Sequence, residues 1–228
     1  MVRNLHRADR HTADWEKKAP EDRNVFERVA ANTKGILTPG NIVSAAGTIL
    51  TLSGISDVAK GKKAAGATKI IAGRTLDLVD GWLADKTGTK SATGEAVDAS
   101  GDKIQIGYAL FKLWKADVID TPVAVSFGVQ NAVNTFATVM AKKHGAELHP
   151  SGAGKYVTAG QWVSLSGYVL DSMTPAEQTG GDSTLRSIAD TVAVGSMVAG
   201  AYVNVDYVRS VITGMEENAA ISSRLVLV

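Results

Sequence analysis

Four stretches of this chain carry no charged residue: Asn41–Ser56, Thr121–Ala141, Tyr156–Leu170 and Thr191–Val205. Each approaches the length of about 20 residues that a helix needs to cross a bilayer. Each is rich in Gly, Ala, Ser and Thr, the residues that let helices pack closely in lipid. With only 5 prolines and no sustained strand-like alternation, the stretches read as helices. Their polarity leaves a choice open. No uninterrupted, strongly apolar run of spanning length stands out, and mean hydropathy is only +0.03. A membrane bundle with small-residue contacts and a soluble bundle with an Ala-rich core both fit.

Turn residues divide the chain further. Met1–Lys34 is a polar, partly helical arm in which Val25, Val29 and Ala30 form a weak apolar face. Thr38-Pro39-Gly40 breaks the chain before a first long helix over Asn41–Val58. Further helices are expected over Ala65–Asp85, Glu95–Trp114, Thr121–Lys143, Lys155–Met173 and Leu185–Met215. Loops are expected at Gly145–Gly154 and Thr174–Ser183. The expected fold is all-α: a six-transmembrane-helix bundle over 35–215, an amphipathic or polar arm over 1–34, and a tail over 216–228. With the N-terminus inside, fifteen Lys/Arg fall on the inner side and six on the outer side. That bias follows the positive-inside rule, with Lys60, Lys62 and Lys63 running against it. Residues 1–34 are heavily charged and lack the apolar segment of a cleavable signal peptide.

Composition excludes several chemistries. There is no cysteine, so disulfides, thiolate metal sites and cysteine nucleophiles are absent. A net charge of +1 gives no field for nucleic acid. The four histidines lie in the arm (His6, His11) and in one loop (His144, His149), with no ligand spacing. Trp82, Trp114 and Trp162 read as interface anchors or packing residues.

The chemistry concentrates between Asp77 and Asp102. The run reads Asp77-x-x-Asp80-Gly81-x-x-Ala84-Asp85, eight residues, then Gly94-x-x-x-Asp98-x-x-x-Asp102. Asp77 and Asp80 share one helix face, and Asp98 and Asp102 share another. A turn-rich loop between the helices brings the two pairs toward each other. Clustered carboxylates repel unless a cation neutralises them, and hard divalent ions such as Mg²⁺ or Mn²⁺ prefer oxygen ligands. Two such ions can clamp a diphosphate. Gly81, Ala84 and Gly94 leave room for a bulky ligand, and Thr87, Thr89 and Ser91 offer hydroxyls. The alternating ligands of a calcium-binding EF-hand are missing.

This run resembles the signature of the CDP-alcohol phosphotransferases, Asp-x-x-Asp-Gly-x-x-Ala-Arg-x8-Gly-x-x-x-Asp-x-x-x-Asp. Seven of its eight fixed positions match, and Asp85 stands where the family has Arg. The resemblance implies a multi-pass homodimer in the cytoplasmic membrane, with a metal site near the cytoplasmic face. It implies that Asp77, Asp80 and Asp98 bind two Mg²⁺ or Mn²⁺ ions. It makes Asp102 the general base on an acceptor hydroxyl and a further metal contact. Gly81, Ala84, Asp85, Ser91 and Gly94 would meet the CDP part. Asn41 and Ser44, in an Asn-x-x-Ser element before the first long helix, would meet the nucleotide as well. The reaction implied is attack of an alcohol on the β-phosphorus of a CDP-diacylglycerol-type lipid, releasing CMP, in phospholipid biosynthesis. An Asp at position 85 repels a diphosphate unless a cation pairs with it, and Lys86 and Lys90 are the candidates to restore the charge.

Gly154-Lys155-x-x-Thr158-x-x-Gln161 resembles an element of bacterial phosphatidylglycerophosphate synthases, with Val157 where a second Lys stands. It implies that Lys155 holds the phosphate of glycerol 3-phosphate, with Lys142, Lys143 and Arg209 as further phosphate-binding candidates. The competing reading for each is a plain interfacial charge. Gly152-Ala-Gly154-Lys155 is no phosphate-binding P-loop, because His149 stands where its first Gly belongs. Inositol phosphate or another alcohol is the alternative acceptor. A non-catalytic membrane scaffold that keeps the fold is the alternative function, and Asp85 is its best support.

Overall fold

A computed structural model describes residues 13–143, 152–174 and 183–225. The loops around Pro150 and over 175–182, the arm residues 1–12 with His6 and His11, and residues 226–228 lie outside the described residues, as do His144 and His149. The described residues are helical or irregular, with no strand. Short 3₁₀ turns at Asp14–Glu16 and Pro20–Asp22 precede seven helices. These are α1 Val25–Asn32, α2 Pro39–Ala59, α3 Lys63–Thr87, α4 Ala92–Lys115, α5 Thr121–Lys143, α6 Gly152–Asp171 and α7 Thr184–Leu225. The six long helices fall within a few residues of the expected spans except at the end of α7. There the helix runs through the segment expected as a tail, because Glu216–Leu225 contains good helix formers and neither Gly nor Pro. Among the described residues, two helical stretches are long and apolar enough to cross a membrane, Pro39–Ala59 and Thr184–Gly214 within α7, with mean hydropathies of 1.5 and 1.3.

The chain forms two compact units, the first running to Ala109 and the second starting at Leu110. In the first, α2 packs along α3 through a face of small residues: Gly40, Ser44, Gly47, Thr51 and Gly54. The backbones come close enough that a Cβ on Gly54 would stand 2.6 Å from the carbonyl oxygen of Gly66. Local signals set the ends. Thr38 caps α2 by accepting from the Asn41 amide at 3.1 Å, with Pro39 in the first turn. Gly88, at φ 67°, ends α3 in the left-handed conformation, and the Thr89 amide returns to the Ala84 carbonyl at 2.9 Å. Ser91 Oγ accepts from the Gly94 amide at 3.1 Å and opens α4.

The segment before α2 is tied to this turn. Asn24 and Glu27 form a reciprocal capping box at the start of α1. Glu27 is only 1% exposed and accepts from Lys18 Nζ at 2.7 Å. Asn24 Nδ2 donates to the Thr87 carbonyl at 3.3 Å, and Glu27 lies against Gly88. The Lys18 ammonium, then the Asn24 amide, hold the Glu27 carboxyl below its ordinary range. A depressed folded-state value means the contribution is present above the unfolded value and disappears as pH falls through the folded one. We therefore expect acidification to loosen the Trp15–Ala30 cluster, seen as a change in Trp15 fluorescence (read in a chain lacking the other three tryptophans) and in proteolysis near residue 24. In Glu27→Gln this dependence on pH should vanish.

In the second unit α7 packs on α6 and α5. Phe127, Leu165, Tyr168 and Ala189 are buried there. So are polar groups: Gln161 donates to Gln130 Oε1 at 3.0 Å and accepts from Asn131 at 3.1 Å, and Ser164 donates to the Ala189 carbonyl at 2.9 Å. Large apolar residues point outward instead, among them Val125, Phe136, Val163, Val198 and Tyr202.

Candidate active site

The turn between α3 and α4, with the start of α2, forms an open cleft of about 90 Å³. Eight of the expected site residues line it: Asn41 and Ser44 from α2, Asp80, Gly81 and Ala84 from α3, and Ser91, Gly94 and Asp98 around the start of α4. Thr38, Gly40, Thr89 and Lys90 complete the lining. The helical spacing explains the grouping. Asp80 and Ala84 lie one turn apart on the α3 face that meets Gly40 of α2, and Asp80 is 8% exposed. The Ser44 hydroxyl hydrogen-bonds with the Asp80 carboxylate. Gly81 has no protein atom near the position a Cβ would take, so its missing side chain leaves space in the cleft and not between helices. Asn41 has a structural task as well: its Nδ2 donates to the carbonyls of Gly35 and Ile36, each at 2.9 Å.

Asp77 and Asp102 are held apart from the cleft lining by a residue that motif reading passes over. Arg74 Nη1 donates to Asp77 Oδ2 at 2.5 Å and to Asp102 Oδ1 at 2.8 Å. Gln105 Oε1 lies 3.4 Å from the same nitrogen, and Gln105 Nε2 donates to Thr48 Oγ1 of α2 at 3.0 Å. Arg74 stands one turn before Asp77, and that i, i+3 spacing is the only trace of the arrangement in the sequence. Asp80, Asp98 and Asp102 are all near enough to Asp77 for their charges to repel it. Among the described residues no three carboxylates converge on one point. The donor set still suits a hard divalent cation. Every potential ligand is a carboxylate oxygen, and Asp77 Oδ1 is buried without a hydrogen-bond partner.

The departure at position 85 has a partner. Asp85 is exposed and pairs with Lys90 Nζ at 3.3 Å, while Lys86 lies over the Trp82 ring at 6.0 Å. Lys90 lines the cleft and Asp85 does not. The acceptor candidates belong to the second unit. Lys155, in the first turn of α6, and Arg209, on α7, are exposed, and the Lys142 side chain lies outside the described residues. Gln161 of the same sequence element is spent on Gln130 and Asn131.

A search of curated protein sequences returns no match. Among solved structures, the chain is similar to the phosphatidylinositol phosphate synthase of Mycobacterium tuberculosis, crystallised with CDP-DAG bound. The two are 18% identical, with a TM-score of 0.49 over 82% of this chain and 93% of the other. The family model for CDP-alcohol phosphatidyltransferases matches residues 35–201. That match spans most of the chain and contains the whole of the cleft, and on it the chain belongs to the CDP-alcohol phosphatidyltransferase family.

Proposed function

We propose that this protein transfers a phosphatidyl group from a CDP-linked lipid to the hydroxyl of a small phosphorylated alcohol, releasing CMP. The observation that carries the reading is the cleft itself, where two of the family's four aspartates, Asp80 and Asp98, line one space with its small residues and hydroxyls. In the reaction the acceptor oxygen forms a bond to the β-phosphorus, the bond from that phosphorus to the CMP oxygen breaks, and the hydroxyl proton passes to Asp102. Asp102 keeps one carboxylate oxygen outside its bond to Arg74, which suits a base. Asp77, Asp80 and Asp98 would hold Mg²⁺ or Mn²⁺, with Asp102 at the edge of the site. When bound, such ions neutralise the diphosphate and the charge on departing CMP. Gly81 and Ala84 would floor the nucleotide pocket, and Ser44, Asn41 and Ser91 would orient it. Glycerol 3-phosphate is the acceptor on this reading, with Lys155 meeting its phosphate.

All six long helices would cross the cytoplasmic membrane, with the site on the cytoplasmic side and two copies forming a homodimer. Burial supports the membrane reading. The helices bury Ser44, Thr51, Gln105, Gln161, Ser164 and Ser196 and expose large apolar residues such as Ile49, Leu78, Phe111 and Val198. The deciding experiment incubates the protein with CDP-diacylglycerol, Mg²⁺ and either glycerol 3-phosphate or inositol phosphate, and measures CMP. No CMP with any acceptor overturns the enzyme reading, and CMP with inositol phosphate alone corrects the acceptor.

Lys90 is the cleft cation that answers the missing Arg. We expect Lys90→Gln to raise KM for CDP-diacylglycerol by roughly tenfold, the loss of one exposed charge contact of about 1.4 kcal/mol. Asp85→Arg should lower KM, because it removes an anion beside Lys90 and adds a cation. A fall in activity of Asp85→Arg would instead give Asp85 a role of its own.

A further inference from the structure

We infer that Arg74 is a positioning residue of the site: it is the chain's own counter-ion for Asp77 and Asp102, and a divalent cation takes over that neutralising task on binding. The inference rests on the proposed metal-dependent reading and adds a residue to it. Three observations carry it.

A single guanidinium nitrogen contacts carboxylates on two helices, at 2.5 Å to Asp77 on α3 and 2.8 Å to Asp102 on α4. Gln105 joins the same nitrogen and reaches α2 through Thr48, so the cation sits where three helices are tied. The carboxylates need it. The Asp77 side chain is only 9% exposed, and three further aspartates lie near enough to repel its charge. Without a cation from some source, that cluster is unfavourable in the folded chain. Finally, Arg74 leaves the site unfinished. It engages Asp77 through Oδ2 and Asp102 through Oδ1, and Asp77 Oδ1 remains buried with no partner. An arginine serving only as an interhelical clamp gives no reason for that free oxygen. An arginine that aligns a carboxylate for a second cation does.

The two readings separate in one measurement. A clamp stabilises the fold whether or not a cation is bound. A counter-ion matters most when none is bound. The test is thermal unfolding of the purified full-length protein in detergent, with and without millimolar MnCl₂, for the wild type, Arg74→Gln and Arg74→Lys. The expected result for Arg74→Gln is a fall of roughly 4–8 °C in Tm without Mn²⁺, and of less than about 2 °C with it. Arg74→Lys, which keeps the charge, should lie between Arg74→Gln and the wild type. Equal losses with and without Mn²⁺ overturn the inference. A wild type whose Tm does not respond to Mn²⁺ overturns the metal-dependent reading, and the inference falls with it. If Arg74→Gln does not fold, the double variant Arg74→Gln/Asp77→Asn decides: removing one carboxylate with the guanidinium should restore folding, and failure to do so overturns the inference.

Discussion

Asp102→Asn should lower kcat for CMP release on the order of a thousandfold and leave KM for the CDP-lipid within a few fold. The size follows from the role. A positioned base contributes about 10²–10⁴ in rate, so a thousandfold loss is about 4 kcal/mol of barrier. The direction follows from the geometry. Asn keeps a carbonyl oxygen that can accept from Arg74, so the tie between α3 and α4 survives while the basic oxygen is lost. The fold should therefore hold, with Tm near that of the wild type. Single-turnover measurement of CMP separates chemistry from binding. If Asp102→Asn released CMP at the wild-type rate, the base would have to be another group. If KM alone rose, Asp102 would be a binding residue. Asp98→Asn gives the contrast. Asp98 is exposed in the cleft and lies outside the Arg74 network, so its loss should change the Mg²⁺ dependence of the rate more than its value at saturating Mg²⁺.

The cleft was legible in the sequence because its residues sit close together along the chain. Asp80, Gly81 and Ala84 lie within about one turn of one helix, and Ser91 and Gly94 open the next. Helical period alone puts them side by side. The helix ends were legible for the same local reason: Thr38-Pro39, Gly88 and Thr121-Pro122 act within one turn of themselves. Arg74 was not legible. Its bond to Asp77 spans three residues, but the bond that gives it meaning reaches Asp102 on another helix. The docking of α1 at the α3–α4 turn was half visible. Asn24 and Glu27 have the spacing of a capping box, while their closeness to Thr87 and Gly88 comes only with the fold. Gln161 went the other way. It lies in the element read as a phosphate site through Lys155, and the structure bonds both ends of its amide to half-buried Gln130 and Asn131.

Two glycines on α3 look alike in the sequence and should behave oppositely. Gly66 faces α2 where the helices touch backbone to backbone. A Cβ there would stand 2.6 Å from the Gly54 carbonyl oxygen and 2.7 Å from the Val58 amide nitrogen. Backbone atoms cannot rotate away, so the helices must separate along the face that also carries Ser44 and Thr51. We expect Gly66→Leu to cost about 3 kcal/mol, the upper end for overpacking a tight contact, and to lower Tm by roughly 6–12 °C. Gly81 lies four turns further along the same helix, with no protein atom within 4 Å of its Cβ position. Gly81→Leu meets nothing in the folded chain, and replacing Gly within a helix is worth up to about 1 kcal/mol in propensity. Its Tm should stay level or rise. The added side chain instead fills the cleft between Asp80 and Ala84, where the nucleotide is proposed to lie. CMP release from CDP-diacylglycerol should fall below detection in Gly81→Leu, with Mn²⁺ still raising its Tm as in the wild type. A Gly81→Leu protein that turned over normally would move the nucleotide out of this cleft, whereas one that unfolded would show that α3 packs differently at that turn.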